Sequence, residues 1–218
     1  MKEIRCEGIV LNKTEYGDSD LYVTIFTENE GKISFNVKGI RKSKTREQSA
    51  VDILTCSNFI FIKKNENYSI RKFETVDSYS VIKGDIDSIS MGLYIVSVVN
   101  KLSHEGSISS KNYELLKKTL NYFEKKNKKE ENLLCVLYFL YKWSEYEGIF
   151  IDEIDEWIKI DSEAKNNIIL NELLNKKIKQ ILEKNYLEYD IIKTIVLYEK
   201  YINYHCEGTL NIKNFLLG

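Results

Sequence analysis

The chain contains no proline, two histidines and only four cysteines among its 218 residues. Neighbouring cysteines stand about 50 to 80 residues apart, and none belongs to a CxxC pair. Structural zinc sites normally need close cysteine pairs, and a disulfide framework needs an oxidising compartment. We therefore expect no bound metal and four reduced thiols that pack as small apolar side chains, namely Cys6, Cys56, Cys135 and Cys206.

Long apolar runs and catalytic fingerprints are missing as well. No stretch reaches the roughly 18 uncharged apolar residues that a membrane span requires, and the charged start of the chain lacks the apolar segment of a signal peptide. The sequence contains no Walker loop and no GxSxG, HExxH or dinucleotide-binding motif. These absences predict a cytoplasmic protein without membrane contact, cofactor or enzymatic turnover.

An excess of either charge is also lacking, because 32 basic side chains accompany 33 acidic ones and leave a formal net charge of −1. This balance excludes a globally cationic nucleic-acid binder, so any site for a polyanion has to come from local asymmetry. Apolar residues make up 43% of the chain, which is enough for a buried core and excludes overall disorder.

The first 80 residues show the two-residue alternation of strands. Apolar and polar side chains alternate over residues 33–38, and residues 21–26 before them show a similar pattern. Further apolar runs lie at 4–11, 53–62 and 68–73, with turns at 27–32 and 64–67. Five short strands joined by tight turns predict a small antiparallel barrel of the OB or SH3-like type.

After Ser80 the apolar spacing becomes that of helices. Asp85 is predicted to cap a buried helix, and Ser109 or Ser110 to cap a second one. Further helices are predicted at 131–146, 164–183 and 188–205. The predicted organisation is a barrel domain at residues 1–80 followed by an all-α helical domain at residues 81–218.

The most informative segment is a run of cations that follows the strand at 33–38. Five basic side chains fall within nine residues with no acid among them: Lys38, Arg41, Lys42, Lys44 and Arg46. A basic loop beside a half-exposed sheet suits phosphate backbones, because neutralising phosphates releases their counterions. The alternative is a solvated loop without a partner. Tyr16, Tyr22 and Phe35 are the barrel aromatics placed to stack on bases.

The opposite pattern occupies residues 145–163, where eight acids accompany a single base, Lys159. Clustered carboxylates can bind a hard cation. Apolar residues interrupt this run, however, and the glycine spacing of a calcium loop is absent. We interpret the segment as an exposed acidic hairpin over about residues 149–160 rather than as a metal site.

Several short motifs follow one another at tight spacing near the N-terminus, and another closes the chain. They are Gly8-Ile9-Val10-Leu11, Tyr16-Gly17-Asp18-Ser19-Asp20-Leu21, Phe26-Thr27, Gly31-Lys32, Lys38-Gly39-Ile40-Arg41-Lys42-Ser43-Lys44 and Tyr204-His205-Cys206-Glu207-Gly208. Together they resemble the bacterial RecO recombination-mediator family. The resemblance implies an α+β fold, with an N-terminal five-stranded antiparallel OB-fold barrel followed by an all-α helical domain.

The resemblance also implies a non-enzymatic, nucleoid-associated function in DNA repair and recombination. Proteins of this family bind single- and double-stranded DNA and anneal complementary strands. They contact the acidic C-terminal tail of single-strand-binding protein and, with RecR, help to load RecA. The family's basic motif places DNA contacts at Lys38, Arg41, Lys42 and Lys44, and Arg46 joins them by proximity. Candidates for binding the acidic tail in the helical half are Lys117, Lys118 and Lys142.

One departure from the family concerns zinc. Many members carry two close cysteine pairs in the helical half, which form a zinc module. The corresponding region here, residues 148–163, contains no cysteine. We expect the module to be lost and the helical half to be held together by apolar packing alone.

Two other functions fit the same residues. One is a non-enzymatic protein–protein adaptor whose barrel binds peptides. The other is an RNA-binding OB protein.

Overall fold

A computed structural model describes residues 2–65, 67–125, 127–175, 178–206 and 209–216. Five antiparallel strands come first in the chain: β1 Lys2–Tyr16, β2 Asp20–Thr27, β3 Gly31–Val37, β4 Cys56–Lys64 and β5 Asn67–Asp77. Their order in the sheet is β3-β2-β1-β4-β5, and the outer strands β3 and β5 come close to one another. The sheet therefore curls into the five-stranded OB-fold barrel that the sequence predicts.

The barrel encloses an apolar cluster of its own. Phe35 lies in this cluster with its ring centroid 5.8 Å from Phe59 and 4.7 Å from Phe61. The predicted alternation on β3 is confirmed, because its apolar residues are buried and its polar ones are half-buried. The same finding shows that the prediction of base stacking for Phe35 was wrong, since only 2% of the residue is exposed.

The helices are α1 Ser80–Gly84, α2 Ile86–Leu102, α3 Ser110–Phe123, α4 Lys129–Tyr146, α5 Ile154–Ile160, α6 Ile168–Leu174, α7 Ile178–Glu183 and α8 Glu188–His205. Both predicted caps are confirmed, because the side chains of Asp85 and Ser109 accept hydrogen bonds from backbone amides in the first turns of α2 and α3. Among the helices described, none is long and apolar enough to cross a membrane.

Two predictions about the helical half were wrong. The predicted helix at 164–183 is broken, because Asn167 caps α6 through a hydrogen bond from the amide of Leu170. The predicted acidic hairpin contains α5 instead of strands. Its buried Trp157 stacks on Tyr201 of α8 at 4.0 Å, so burial of this ring decides the local structure rather than the exposed acids around it.

The free cysteines of the chain lie apart from one another in the fold. Two of its free cysteines, Cys6 and Cys56, lie in barrel strands, whereas Cys135 lies in α4 and Cys206 follows α8. Over the part of the chain that the structure describes, no group of three histidine, cysteine or acidic side chains is arranged to hold a metal ion. Glu207 and Gly208 of the closing motif fall outside the described residues.

A second apolar cluster joins the barrel to the helices. Ile9, Leu11 and Phe26 belong to it from the barrel side. The ring of Phe26 lies 6.2 Å from that of Tyr113 in α3 and 6.3 Å from that of Trp143 in α4. Strands give way to helices between β5 and α1, but this core continues across the change. The division of the chain into two separate domains, with a boundary between residues 80 and 81, stays a prediction.

Polar contacts strengthen the same junction. Glu7 of β1 accepts a hydrogen bond from the Tyr113 hydroxyl at 2.8 Å and forms an ion pair with Lys117. Partial burial acts to raise the pKa of Glu7, but these two partners outweigh it and hold the pKa below its usual value. Gly31, at φ 68°, passes so close to Ser107 that a Cβ would lie 2.2 Å from its carbonyl oxygen. Only glycine fits there.

Candidate nucleic-acid interface

The basic loop, defined here as residues 38–46, leaves the barrel at the end of β3. Gly39 adopts a left-handed conformation, with φ 66°, and begins a short 3-10 helix at Ile40–Lys42. Ile40 is fully buried in the barrel cluster and fixes the loop to the barrel. Because this apolar side chain points inward, the polar side chains on either side of it are directed to the surface.

Three lysines of the basic loop are available to a ligand. Lys38, Lys42 and Lys44 are exposed. Their ammonium groups make no hydrogen bond or ion pair with any residue that the structure describes. The loop therefore presents three positive charges without a direct ion-pair partner among the described residues, and of these Lys38 interacts electrostatically with Asp20.

The two arginines of the basic loop are engaged within the protein. Arg41 is exposed, forms an ion pair with Glu15 at 2.8 Å and donates to the carbonyl of Gly17 at 3.3 Å. Arg46 donates to the carbonyl of Lys38 at 2.8 Å, and its guanidinium lies 4.8 Å from the centre of the Phe73 ring. Arg46 thus connects the two ends of the loop and holds it against β5.

The turn between β1 and β2 lies beside the basic loop. The carboxylate of Asp20 accepts a hydrogen bond from the backbone amide of Gly39 at 2.8 Å. This bond, with those from Ser19 and Asn36, holds the pKa of Asp20 below its usual value. The sequence indicated only a polar turn here, because nothing in the local pattern reveals a contact between residues 19 positions apart.

The outer face of the sheet next to the loop carries exposed tyrosines. Tyr22 on β2 pairs across the strands with Asn36 on β3, and 48% of it is exposed. Tyr16 at the end of β1 pairs with Asp20 and is 63% exposed. Lys38 directly follows the end of β3, next to this face of the sheet. Aromatic and cationic side chains are therefore combined at this end of the barrel.

A groove between α3 and α4 is the other notable surface. It encloses about 780 Å³ and is lined by Leu115, Tyr122, Leu134, Tyr138 and Tyr146, together with Lys111 and Lys118. Of the three lysines predicted for the helical half, Lys118 lines this groove, where it forms an exposed ion pair with Glu114 at 3.4 Å. Lys117 is paired with Glu7 and Lys142 with Glu145. Lys111 was missed, because an isolated surface lysine gives no signal in the sequence.

Part of the chain is similar to known proteins. Residues 1–79 match the family model described as the N-terminal domain of recombination protein O. A DNA repair protein RecO from Alkaliphilus metalliredigens is 29% identical over 146 residues, which cover 67% of this chain and 58% of that protein. One from Thermoanaerobacter is 30% identical over 120 residues, covering 55% of this chain and 48% of that protein.

A third relative, the DNA repair protein RecO of Listeria monocytogenes, is 30% identical over 111 residues, covering 51% of this chain and 44% of its own length. The chain thus spans about half the length of the relatives it matches. The matched N-terminal domain contains the whole barrel and the basic loop. In sequence and fold, the barrel half of this chain is therefore similar to the N-terminal domain of RecO proteins.

Proposed function

We propose that this protein acts in DNA repair and recombination by binding single- and double-stranded DNA and annealing complementary strands. The observation that carries the proposal is the group of three exposed lysines, Lys38, Lys42 and Lys44, beside exposed tyrosines on the barrel. The names of the relatives support the same role, since each is a DNA repair protein.

In the proposed mechanism, phosphates of the DNA backbone lie along the basic loop and displace its counterions. Arg41 joins the lysines when a phosphate replaces Glu15 as its partner, because both are anions and the pair is exposed. Arg46 belongs to the site mainly by holding the loop against Phe73. Tyr22 offers a stacking surface for a base.

Strand annealing follows from this arrangement without a covalent step. Neutralised phosphates repel one another less, so two strands can approach at the loop while their bases stay available for pairing. In the proposed pathway the protein works with RecR to help load RecA on DNA coated with single-strand-binding protein. The function is therefore stoichiometric rather than enzymatic.

The salt dependence of binding tests the site. Contact with three to five phosphates predicts a slope of about −2 to −4 for log K against log salt on single strands. Lys42→Ala/Lys44→Ala removes two contacts and makes the slope shallower by about 1.4. Lys165→Ala/Lys213→Ala is the matched control, because it removes the same charge from exposed positions in the helical half. Equal slopes for the two double variants would exclude the loop as the DNA site.

The same measurement separates the alternatives. A protein–protein adaptor would not shift an oligonucleotide of unrelated sequence at any salt concentration. An RNA-binding protein would bind RNA of equal length more tightly than DNA, whereas a site that follows phosphates distinguishes the two sugars only weakly. Annealing of complementary strands coated with single-strand-binding protein, with and without this chain, tests the recombination role directly.

We also propose that the groove between α3 and α4 binds the acidic tail of single-strand-binding protein. Its walls combine leucine and tyrosine side chains with Lys111 and Lys118, which suits a peptide that is both acidic and apolar. Glu114 and Glu131 also line the groove, so an acidic peptide has to replace Glu114 as the partner of Lys118. Lys111→Glu/Lys118→Glu should abolish binding of a labelled tail peptide, while Lys165→Glu/Lys213→Glu should not. Tail binding that survives the first change would place this partner elsewhere.

A further inference from the structure

The backbone of the basic loop is held by the neighbouring turn between β1 and β2. The amide of Gly39 donates to Asp20, and the amide of Arg41 donates to the carbonyl of Ser19 at 3.0 Å. Gly39 is the residue at which the chain turns out of β3. A contact at this point therefore fixes the direction in which the loop begins.

Asp20 is itself held in place. Its carboxylate accepts a hydrogen bond from the Ser19 hydroxyl at 3.2 Å and one from the side-chain amide of Asn36 at 3.4 Å, in addition to that from Gly39. Asp20 begins β2 and pairs with Tyr16, so its backbone is part of the sheet. An acceptor on the sheet thus fixes the turn at Gly39, in addition to the support that Ile40 and Arg46 give the loop.

The charge of Asp20 is unfavourable for the proposed ligand. A carboxylate next to a phosphate site repels the phosphate, so electrostatics alone would favour its removal. Its hydrogen bond to the Gly39 amide acts in the opposite direction, because a loop already ordered before binding loses less entropy when the ligand arrives. The two effects predict opposite signs for the same substitution, which makes them separable.

We infer that Asp20 is a positioning residue, which holds the basic loop in the conformation that receives the DNA backbone. The inference rests on the proposed function of the loop. Asp20 needs no contact with DNA in this role. Asp20 fixes the position of Gly39, and Gly39 in turn fixes the direction of the lysines that follow it.

Asp20→Ala and Asp18→Ala form a matched pair for the test. Both remove one negative charge from the same turn, but Asp18 is exposed and makes no hydrogen bond or ion pair with any residue in the described ranges. We expect Asp20→Ala to weaken binding of a single-stranded oligonucleotide by about 3- to 10-fold, through loss of a hydrogen bond that preorganises the loop. Asp18→Ala should leave binding unchanged or strengthen it by less than about 2-fold.

A second readout separates positioning from a general loss of structure. The cations remain in Asp20→Ala, so the salt slope should stay at its wild-type value while affinity falls at every salt concentration. Hydrogen exchange of the Gly39 and Arg41 amides should become faster in Asp20→Ala and not in Asp18→Ala. Asp20→Asn keeps a side-chain carbonyl as acceptor and should restore most of the affinity.

The outcomes distinguish this inference from the function on which it rests. If Lys42→Ala/Lys44→Ala leaves the slope unchanged, the DNA site itself is wrong. Suppose instead that the double variant has the expected shallower salt slope, while Asp20→Ala binds DNA as well as Asp18→Ala. The positioning role of Asp20 is then wrong, and the DNA site stands. Slow exchange of the Gly39 amide in Asp20→Ala would also overturn the inference.

Discussion

The core shared by barrel and helices makes a prediction about unfolding, which Phe26→Ala tests. Phe26 lies on β2, is 1% exposed, and contacts the rings of Tyr113 and Trp143 from two different helices. Truncating a buried phenylalanine costs about 3–5 kcal/mol, and the upper part of that range applies where the surroundings cannot collapse into the cavity. Large rings from two helices surround this site, so we expect about 4–5 kcal/mol.

For a chain of this length, such a loss lowers the melting temperature by about 10 °C. The assay follows thermal unfolding by tryptophan fluorescence and by far-UV circular dichroism. Both tryptophans, Trp143 and Trp157, lie in helices, so fluorescence reports on the helical half. The shared core predicts one transition that is the same by both methods in the wild-type protein.

Phe35→Ala provides the matched comparison. Phe35 is equally buried, but its ring contacts lie within the barrel, with Phe59 and Phe61. If barrel and helices unfold as one unit, Phe35→Ala lowers the fluorescence transition as Phe26→Ala does. A fluorescence transition that stays at its wild-type temperature in Phe35→Ala would show that the barrel unfolds separately, and it would refute the reasoning.

Three further predictions concern single side chains. Glu15→Gln removes the anion that a phosphate has to displace from Arg41, so single-stranded DNA should bind more tightly while the salt slope keeps its wild-type value. Unchanged affinity would show that Arg41 does not reach DNA. Tyr22→Ala should weaken binding by about 1–3 kcal/mol without changing the slope, through loss of base stacking. Tyr204→Ala, which removes a more exposed tyrosine ring from α8, is its control and should have no effect. Burial raises the pKa of Glu199 to about 7, so the native state holds a proton that the unfolded chain releases and stability falls as pH rises from about 4.5 to 7. Glu199→Gln removes this loss, and its stability relative to the wild type should rise by up to about 3 kcal/mol across that range in urea titrations. A difference independent of pH would contradict the raised pKa.

The elements that local patterns specify could be predicted from the sequence. Alternation located β2 and β3, and the caps Asp85 and Ser109 located the starts of two helices. The predicted helix at 188–205 coincides with α8. These features depend on side chains only a few residues apart, so a single sequence contains the information.

The break of the predicted helix at Asn167 is local, but the other errors in the fold and the loop involve distant contacts. The acidic segment forms α5 because Trp157 packs on Tyr201, which lies 44 positions further along the chain. The basic loop was correctly predicted to be rich in exposed cations, but the engagement of Arg46 with Phe73 depends on how β5 folds back. Asp20 gave no signal because its partner is a backbone amide, whose presence does not depend on the residue type.

The junction between barrel and helices has a consequence for how DNA and an acidic peptide tail would be held together. Glu7 joins β1 to α3, and Gly31 of β3 fits against the segment after α2 with no space for a side chain. The parts of the protein that carry the basic loop and the groove between α3 and α4 are thus joined by direct packing. A peptide tail captured in the groove would bring its attached DNA to the loop at a raised effective concentration, set by the length of the tail's own linker.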